Sequence, residues 1–521
     1  MSLTPSLLPR SPTFQGAVSG VVAAAGYLLG FAIAALARAL VPEAARVPDA
    51  VRAVVARLAL LVGAGGVVGF MVAGRGWQAE AHRLAGSPVP SIWATLWTVA
   101  FSVLLFAGLL LAGCGVRRVT RFVARFLARR LPVVVATVAS VVVVATGAGV
   151  LFQQVVLRAT FFTIDRVSSG VNDAVTENLS PPTSSLRSGG PGSSVAWADL
   201  GLRGRRFVAG GPSGRQLSAF SGRPAEEPVR VYVGLNSAPT SLERADLALA
   251  ELVRTGAFSR AVLAVVSTTG TGWVDPGAAN SLEYLWNGDT AIVATQYSYL
   301  PSPVAFVLDD DQVESEGAQL FSTIRQYWLR LPVDHRPRLL LYGESLGTNG
   351  GAAALGSFPD AGDRVDGALF VGPPNSNHLW REVEDHRDAG SPARRPAFGS
   401  GAVVRVGVDR ASLTAAAAQP WSQPRVLFLA HASDPVVWWS PDLLLRRPDW
   451  LREPRGPGVS SSMGWYPIVT FFQVTADLLA ANDVPGAGHR YGASIGAGWA
   501  AVAPPDGWTP ADTTRLTTLF P

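Results

Sequence analysis

RLLLYGESLGTNGG, residues 338–351, is the stretch whose reading decides the fold. Its apolar first half, Leu339 to Tyr342, has the unbroken hydrophobicity of a buried parallel strand. The strand runs directly into Gly343-Glu344-Ser345-Leu346-Gly347, and small residues suited to a helix follow from Thr348 to Leu355. Strand, G-x-S-x-G and helix in that order make a nucleophile elbow. The spacing has a steric cause. The serine occupies a strained turn, and glycines two residues before and after it remove the Cβ atoms that would collide where strand and helix cross. The turn lifts the Ser345 hydroxyl above the sheet edge, and the Leu346 N–H at the helix start faces the same point as an oxyanion donor. A second match, GASIG at 492–496, has no apolar strand before it and is read as chance.

Away from the elbow, composition divides the chain. Hydrophobic residues make up 48% and charged residues 16% of its 521 positions, too apolar for a purely soluble protein. All 43 basic residues are arginines, and they lie beside apolar runs instead of forming an aromatic-studded patch. The net charge of +5 therefore gives no support to nucleic-acid binding. The single cysteine, Cys114, excludes intrachain disulfides and cysteine-rich zinc cages, and in its apolar run it reads as packing.

Four apolar stretches, near 16–37, 58–73, 92–113 and 131–157, each approach the roughly 20 residues that cross a bilayer. None contains Asp, Glu, Lys or His, which favours an anchor over a channel or pump. Gly26/Gly30 and Gly65/Gly69 have the spacing of close helix contacts. The loop between the third and fourth spans carries Arg117, Arg118, Arg121, Arg125, Arg129 and Arg130; that between the first and second carries Arg38, Arg46, Arg52 and Arg57. The intervening loop has only Arg75 and Arg83. The positive-inside rule then makes the two heavy loops cytoplasmic and turns both termini outward. Residues 1–157 are expected to form a four-span transmembrane region. Residues 158–228 follow as a membrane-exit segment and a flexible linker, the latter being SPPTSSLRSGGPGSS at 180–194. The Arg- and Gly-rich segment 197–225 has little periodicity.

From Val229 short apolar runs alternate with helical stretches, the rhythm of a parallel sheet with crossover helices. Strands are expected at 229–235, 261–267, 291–297, 367–371 and 425–430 around the elbow strand, with an irregular insertion over 373–424. This order resembles the α/β-hydrolase fold within residues 229–521. That resemblance implies an oxyanion loop at Thr268–Trp273, with the Thr271 N–H as second donor and Gly270 allowing backbone approach. It also implies the chain order serine, acid, histidine. Asp434 is the acid that most directly follows a convincing strand, and His489 is the only histidine downstream of it. The expected set is Ser345, Asp434 and His489, with His431 as a rival base. A serine hydroxyl needs such a base, and the carboxylate holds the base in its working tautomer. This chemistry implies no metal and no organic cofactor.

With these motifs in place the chain resembles the actinobacterial membrane-anchored α/β-hydrolase family, a polytopic N-terminal region joined to a serine-hydrolase domain. The resemblance implies the fold and a serine-hydrolase site at Ser345, Asp434 and His489. The apolar anchor, the outward topology and the triad order lead to the expectation of an integral plasma-membrane protein whose extracytoplasmic catalytic domain acts on acyl-ester or lipid substrates. An esterase or lipase, or an acyltransferase on envelope lipids, is the expected activity. A peptidase or amidase would use the same triad, and a non-catalytic membrane scaffold would keep the domain without turnover. Trp438, Trp439, Trp450 and Trp465, with Phe471 and Phe472, suit an acyl pocket, bilayer contact or an ordinary core.

Overall fold

A computed structural model describes residues 2–40, 48–151, 172, 179–300, 310–484 and 486–520. Arg46, the end of the fourth expected span and most of the membrane-exit segment lie outside the described residues. The chain forms two compact units that do not follow chain order. One comprises Met1–Phe162, Asp442–Arg447 and Gly458–Pro485, and the other Thr163–Pro441, Pro448–Pro457 and Gly486–Pro521.

The first unit holds four long helices, α1 (Pro12–Leu40), α2 (Asp49–Leu84), α3 (Ile92–Leu127) and α4 (Val133–Leu151). All four are long and apolar enough to cross a membrane. Helices α1 and α3 touch where a side chain is missing. A Cβ on Gly16 would lie 2.9 Å from the Thr98 carbonyl oxygen, and one on Gly20 2.9 Å from that of Ser102. The sequence expectation of close packing at Gly26/Gly30 and Gly65/Gly69 does not hold, since nothing lies within 4 Å of a Cβ at any of them. Residues of the hydrolase half also belong to this unit. The buried Asp477 carboxylate accepts from Arg10 Nε at 2.9 Å, the Leu7 N–H at 3.0 Å and the Ser6 hydroxyl. Arg10 Nη2 donates to the Gln473 carbonyl at 3.0 Å.

The second unit is built on a seven-stranded sheet in the order β1-β3-β2-β4-β5-β7-β6, every pairing parallel. The strands are β1 (Val229–Val233), β2 (Val262–Ser267), β3 (Thr290–Thr295), β4 (Arg338–Glu344), β5 (Gly367–Val371), β6 (Val404–Gly407) and β7 (Arg425–Leu429). Parallel strands need crossovers, so both sheet faces are covered and each strand is apolar along its length. Adjacent β5 residues show the two faces. Phe370 meets Gly351 on the helix after the elbow, while Leu369 meets Gly498 on the helix Ala493–Val502. Four candidate membrane helices followed by a parallel α/β domain is the fold class expected from the sequence.

Two sequence expectations are corrected here. The segment 373–424 is not irregular, because it supplies the helix His378–Asp385, edge strand β6 and the helix Arg410–Ala418. In place of a flexible linker, residues 180–194 dock on the sheet. Arg187 bridges in parallel to Arg230 of β1, and the Ser193 hydroxyl and Ser194 N–H donate to buried Glu251 at 2.8 and 2.9 Å. The segment 197–225 folds into helices Gly201–Ala209 and Gly214–Ser221, and the Phe207 carbonyl accepts from buried Arg230.

Candidate active site

Strand β4 lies between β2 and β5, so its C-terminal end opens at the middle of the sheet. Ser345 follows it at once with φ +53°, a left-handed conformation that costs a non-glycine residue about 1–3 kcal/mol. The turn is held at both ends: the Ser345 N–H donates to the Val371 carbonyl at 2.8 Å, and the Ser345 carbonyl accepts from the Thr348 N–H at 2.9 Å. Both glycines of the motif are sterically required. A Cβ on Gly343 would sit 2.5 Å from the Gly347 carbonyl oxygen, and one on Gly347 would strike the Ser267 carbonyl at the end of β2. That contact brings the elbow against the start of the 268–273 loop.

In that loop the Gly272 N–H closes a turn on the Thr269 carbonyl at 2.8 Å. Its carbonyls are occupied elsewhere. Gly272 accepts from the buried Tyr232 hydroxyl at 2.7 Å, and Thr271 from Gln296 Nε2 at 3.2 Å. Across the elbow, Leu346 buries its side chain with Tyr297 and Val313. The N–H groups of Leu346 and Thr271 donate to no backbone carbonyl among the described residues.

Asp434 lies just past β7 and is fully buried at the start of the short helix Pro435–Trp438. One carboxylate oxygen caps that helix, accepting the Val436 N–H at 2.8 Å. The other binds His489 Nδ1 at 2.7 Å and accepts the Tyr491 hydroxyl at 2.7 Å. Burial pushes this carboxyl up. The His489 charge and hydrogen bond, together with the Tyr491 hydroxyl and Val436 N–H, outweigh that push and hold it below the usual carboxylate value. An ionised Asp434 fixes the proton of neutral His489 on Nδ1 and leaves Nε2 with its lone pair. Nε2 is buried without a hydrogen-bond partner among the described residues. The imidazole lies over Gly372, where a Cβ would come 2.7 Å from Nδ1. Gly372 directly follows Val371, the residue that fixes the Ser345 N–H. No Ser345 hydroxyl bond to Nε2 is present, and such contacts are often long before substrate binds.

His431, the rival base, is tied to the Gly488 carbonyl and to the Tyr491 ring. A carbonyl only accepts, so the 3.1 Å contact from His431 Nδ1 to the Gly488 carbonyl puts the proton on Nδ1. The ring stacks on Tyr491 with centroids 4.1 Å apart, and burial, against the pull of Asp434, keeps it below the usual histidine value. The Ser433 hydroxyl accepts the Gly488 N–H at 3.1 Å, so Gly488 is pinned through both its N–H and its carbonyl next to His489.

Sequence reasoning missed Tyr491, although its position two residues after His489 was a usable signal. It also passed over Glu344, the variable residue of the elbow. This side chain is buried and accepts from the Tyr342 hydroxyl at 3.1 Å. Burial, then the charges of Asp275 and Asp434, push its carboxyl well above the usual value and favour its neutral form. Trp438 and Trp450 pack on each other in the core of this unit, with centroids 5.5 Å apart. Phe472, in contrast, is exposed in the first unit.

A strained serine after the central strand, with a buried carboxylate–imidazole pair from later loops, defines an α/β protein of hydrolase type. Comparison with protein families matches residues 229–516 to the alpha/beta-hydrolase family and residues 3–212 to that family's N-terminal region. The chain belongs to the alpha/beta-hydrolase family, with a hydrolase-type function. No curated protein and no solved structure matches it.

Proposed function

We propose that the chain is a membrane-anchored serine hydrolase that cleaves acyl esters of envelope lipids through an acyl-enzyme, with its catalytic domain outside the plasma membrane. The observation that carries this reading is the 2.7 Å Asp434–His489 bond, which leaves Nε2 buried and unpartnered beside the serine elbow. His489 Nε2 takes the Ser345 proton as the hydroxyl attacks the ester carbonyl. The tetrahedral oxyanion is held by the Leu346 and Thr271 N–H groups, each such donor lowering the barrier by about 3–4 kcal/mol. His489 then protonates the departing alcohol, and water releases the acyl group by the same route. The outward placement rests on the arginines at the α3–α4 turn, which mark the cytoplasmic side.

Membranes holding the full chain should be labelled at Ser345 by a fluorophosphonate probe, and Ser345→Ala should lose the label entirely. An unlabelled wild type, or undiminished label on Ser345→Ala, would sink the proposal. Graded p-nitrophenyl esters compared with matched anilides test ester over amide preference.

Tyr491→Phe removes one donor from the Asp434 carboxylate and leaves the ring stack. Hydrogen bonds to charged groups contribute about 1.5–3 kcal/mol, so kcat should fall about tenfold to a hundredfold with KM little changed. Losing a donor raises the Asp434 pKa, so the acid limb of the rate profile should move to higher pH. A kcat within twofold of wild type and an unmoved limb would assign Tyr491 to packing alone.

A further inference from the structure

Within the first unit a cavity of about 770 Å³ opens between α1, α2 and α3. Its volume falls inside the ~300–1,000 Å³ range of small-molecule sites. One face of α2 lines it, through Gly63, Gly66, Val67, Phe70, Gly74 and Gln78, a row at helical spacing. Two features set this cleft apart from an ordinary gap between helices. The first is a polarity gradient. Its α1 side is polar, with Gln15 and Ser19 joined through Gln15 Nε2 at 3.1 Å, while Val67, Phe70 and Met71 give the α2 side apolar surface and α3 alternates Val99 and Val103 with Thr98 and Ser102. The second is charge. Arg10, on the polar side, is consumed by Asp477, whereas Arg75 lines the same cleft and makes no ion pair among the described residues.

The depth of the cleft matches one bilayer leaflet. Along α3 its lining runs from Ala94 to Val103, ~14 Å at helical rise, close to half of the ~30 Å hydrocarbon core. Trp93 and Trp97, both exposed, mark the interface level at the α3 start. A polar head at that level would face Arg75, and a single chain would run inward past Phe70 toward Gly63. Gly63 and Gly66 leave the space for that chain, since nothing lies within 4 Å of a Cβ at either.

We propose that this cleft binds a bilayer phospholipid with an anionic headgroup, its phosphate facing Arg75 and one acyl chain lying along the Gly63–Gly66–Phe70 face of α2. The site is separate from Ser345 and does not rest on the hydrolase reading.

The test uses the full chain in nanodiscs of equal phosphatidylglycerol and phosphatidylcholine with matched chains. The photoreactive substitution Phe70→p-benzoylphenylalanine sits in the cleft, and Val62→p-benzoylphenylalanine on an exposed face of α2 outside it reports bulk lipid. Mass analysis of the adducts should show phosphatidylglycerol enriched ~5-fold at position 70 over position 62, the ratio expected for one arginine near an anionic surface. Gly63→Leu/Gly66→Leu fills the cleft without a clash and should abolish the enriched adduct. Gly65→Leu, which also meets open space but does not line the cleft, should leave it intact. Arg75→Gln should equalise the two lipids. Equal adduct composition at both positions would overturn the proposal. So would enrichment that survives Gly63→Leu/Gly66→Leu, or a position-70 adduct with a peptide of this chain in place of lipid.

Discussion

His489→Ala should lower kcat/KM for an ester substrate by about a millionfold, and the Ser345→Ala/His489→Ala double variant should fall no further. In serine hydrolysis the nucleophile and base act as one unit, so removing either forfeits nearly the whole of their joint effect. The expectation rests on Nε2 being the one nitrogen of the Asp434–His489 pair left to take a proton. Steady-state turnover of the purified full chain measures it, with fluorophosphonate labelling rate as a second readout. His431→Gln serves as the counter-experiment, because one nitrogen of its ring is taken up by the Gly488 carbonyl. A loss at His431→Gln larger than at His489→Gln would reverse the assignment. Additive losses in the double variant would mean that serine and histidine do not work together.

What the sequence makes legible here is what local chemistry dictates. The elbow could be read because φ +53° at Ser345 and the close approach at Gly343 and Gly347 leave few residue choices. Asp434 and His489 could be read because fold order and a shortage of histidines left few candidates, and the two side chains do meet at 2.7 Å. Strand β6 escaped because it is four residues long at the sheet edge, with half-buried Arg405 interrupting its apolar run. The segment 180–194 has the composition of a linker, yet its serines serve as donors to a buried glutamate, and no local pattern announces a partner almost sixty residues away. Non-local satisfaction of buried charge is invisible to periodicity. The same blindness hid the membership of residues 458–485 in the first unit, where the partner of Asp477 lies 467 positions upstream.

That pair supports the largest expected effect on stability. Arg10→Ala leaves Asp477 buried with its charge uncompensated, and breaking a buried pair in this way costs about 3–5 kcal/mol. The loss should depend on pH with a definite sign. Burial raises the Asp477 carboxyl above its ordinary value even against the pull of Arg10. A carboxyl whose folded pKa exceeds its unfolded one takes up a proton on folding, so stability falls as pH rises from the unfolded value toward the folded one. Without Arg10 the folded pKa climbs further. The deficit of Arg10→Ala should therefore be greatest at neutral pH and shrink as pH falls below the folded value, where Asp477 is protonated in the folded state with or without Arg10. Melting of the full chain in nanodiscs across that range measures it. Arg10→Met/Asp477→Leu, which removes both charges and keeps similar volume, should recover most of the loss. A deficit below about 1 kcal/mol at neutral pH, or one that grows on acidification, would show that this pair does not hold residues 458–485 to the amino terminus. A fragment beginning at Val229 lacks Ser6, Leu7 and Arg10 together, so residues 458–485 are expected to lose in it every one of these partners of Asp477.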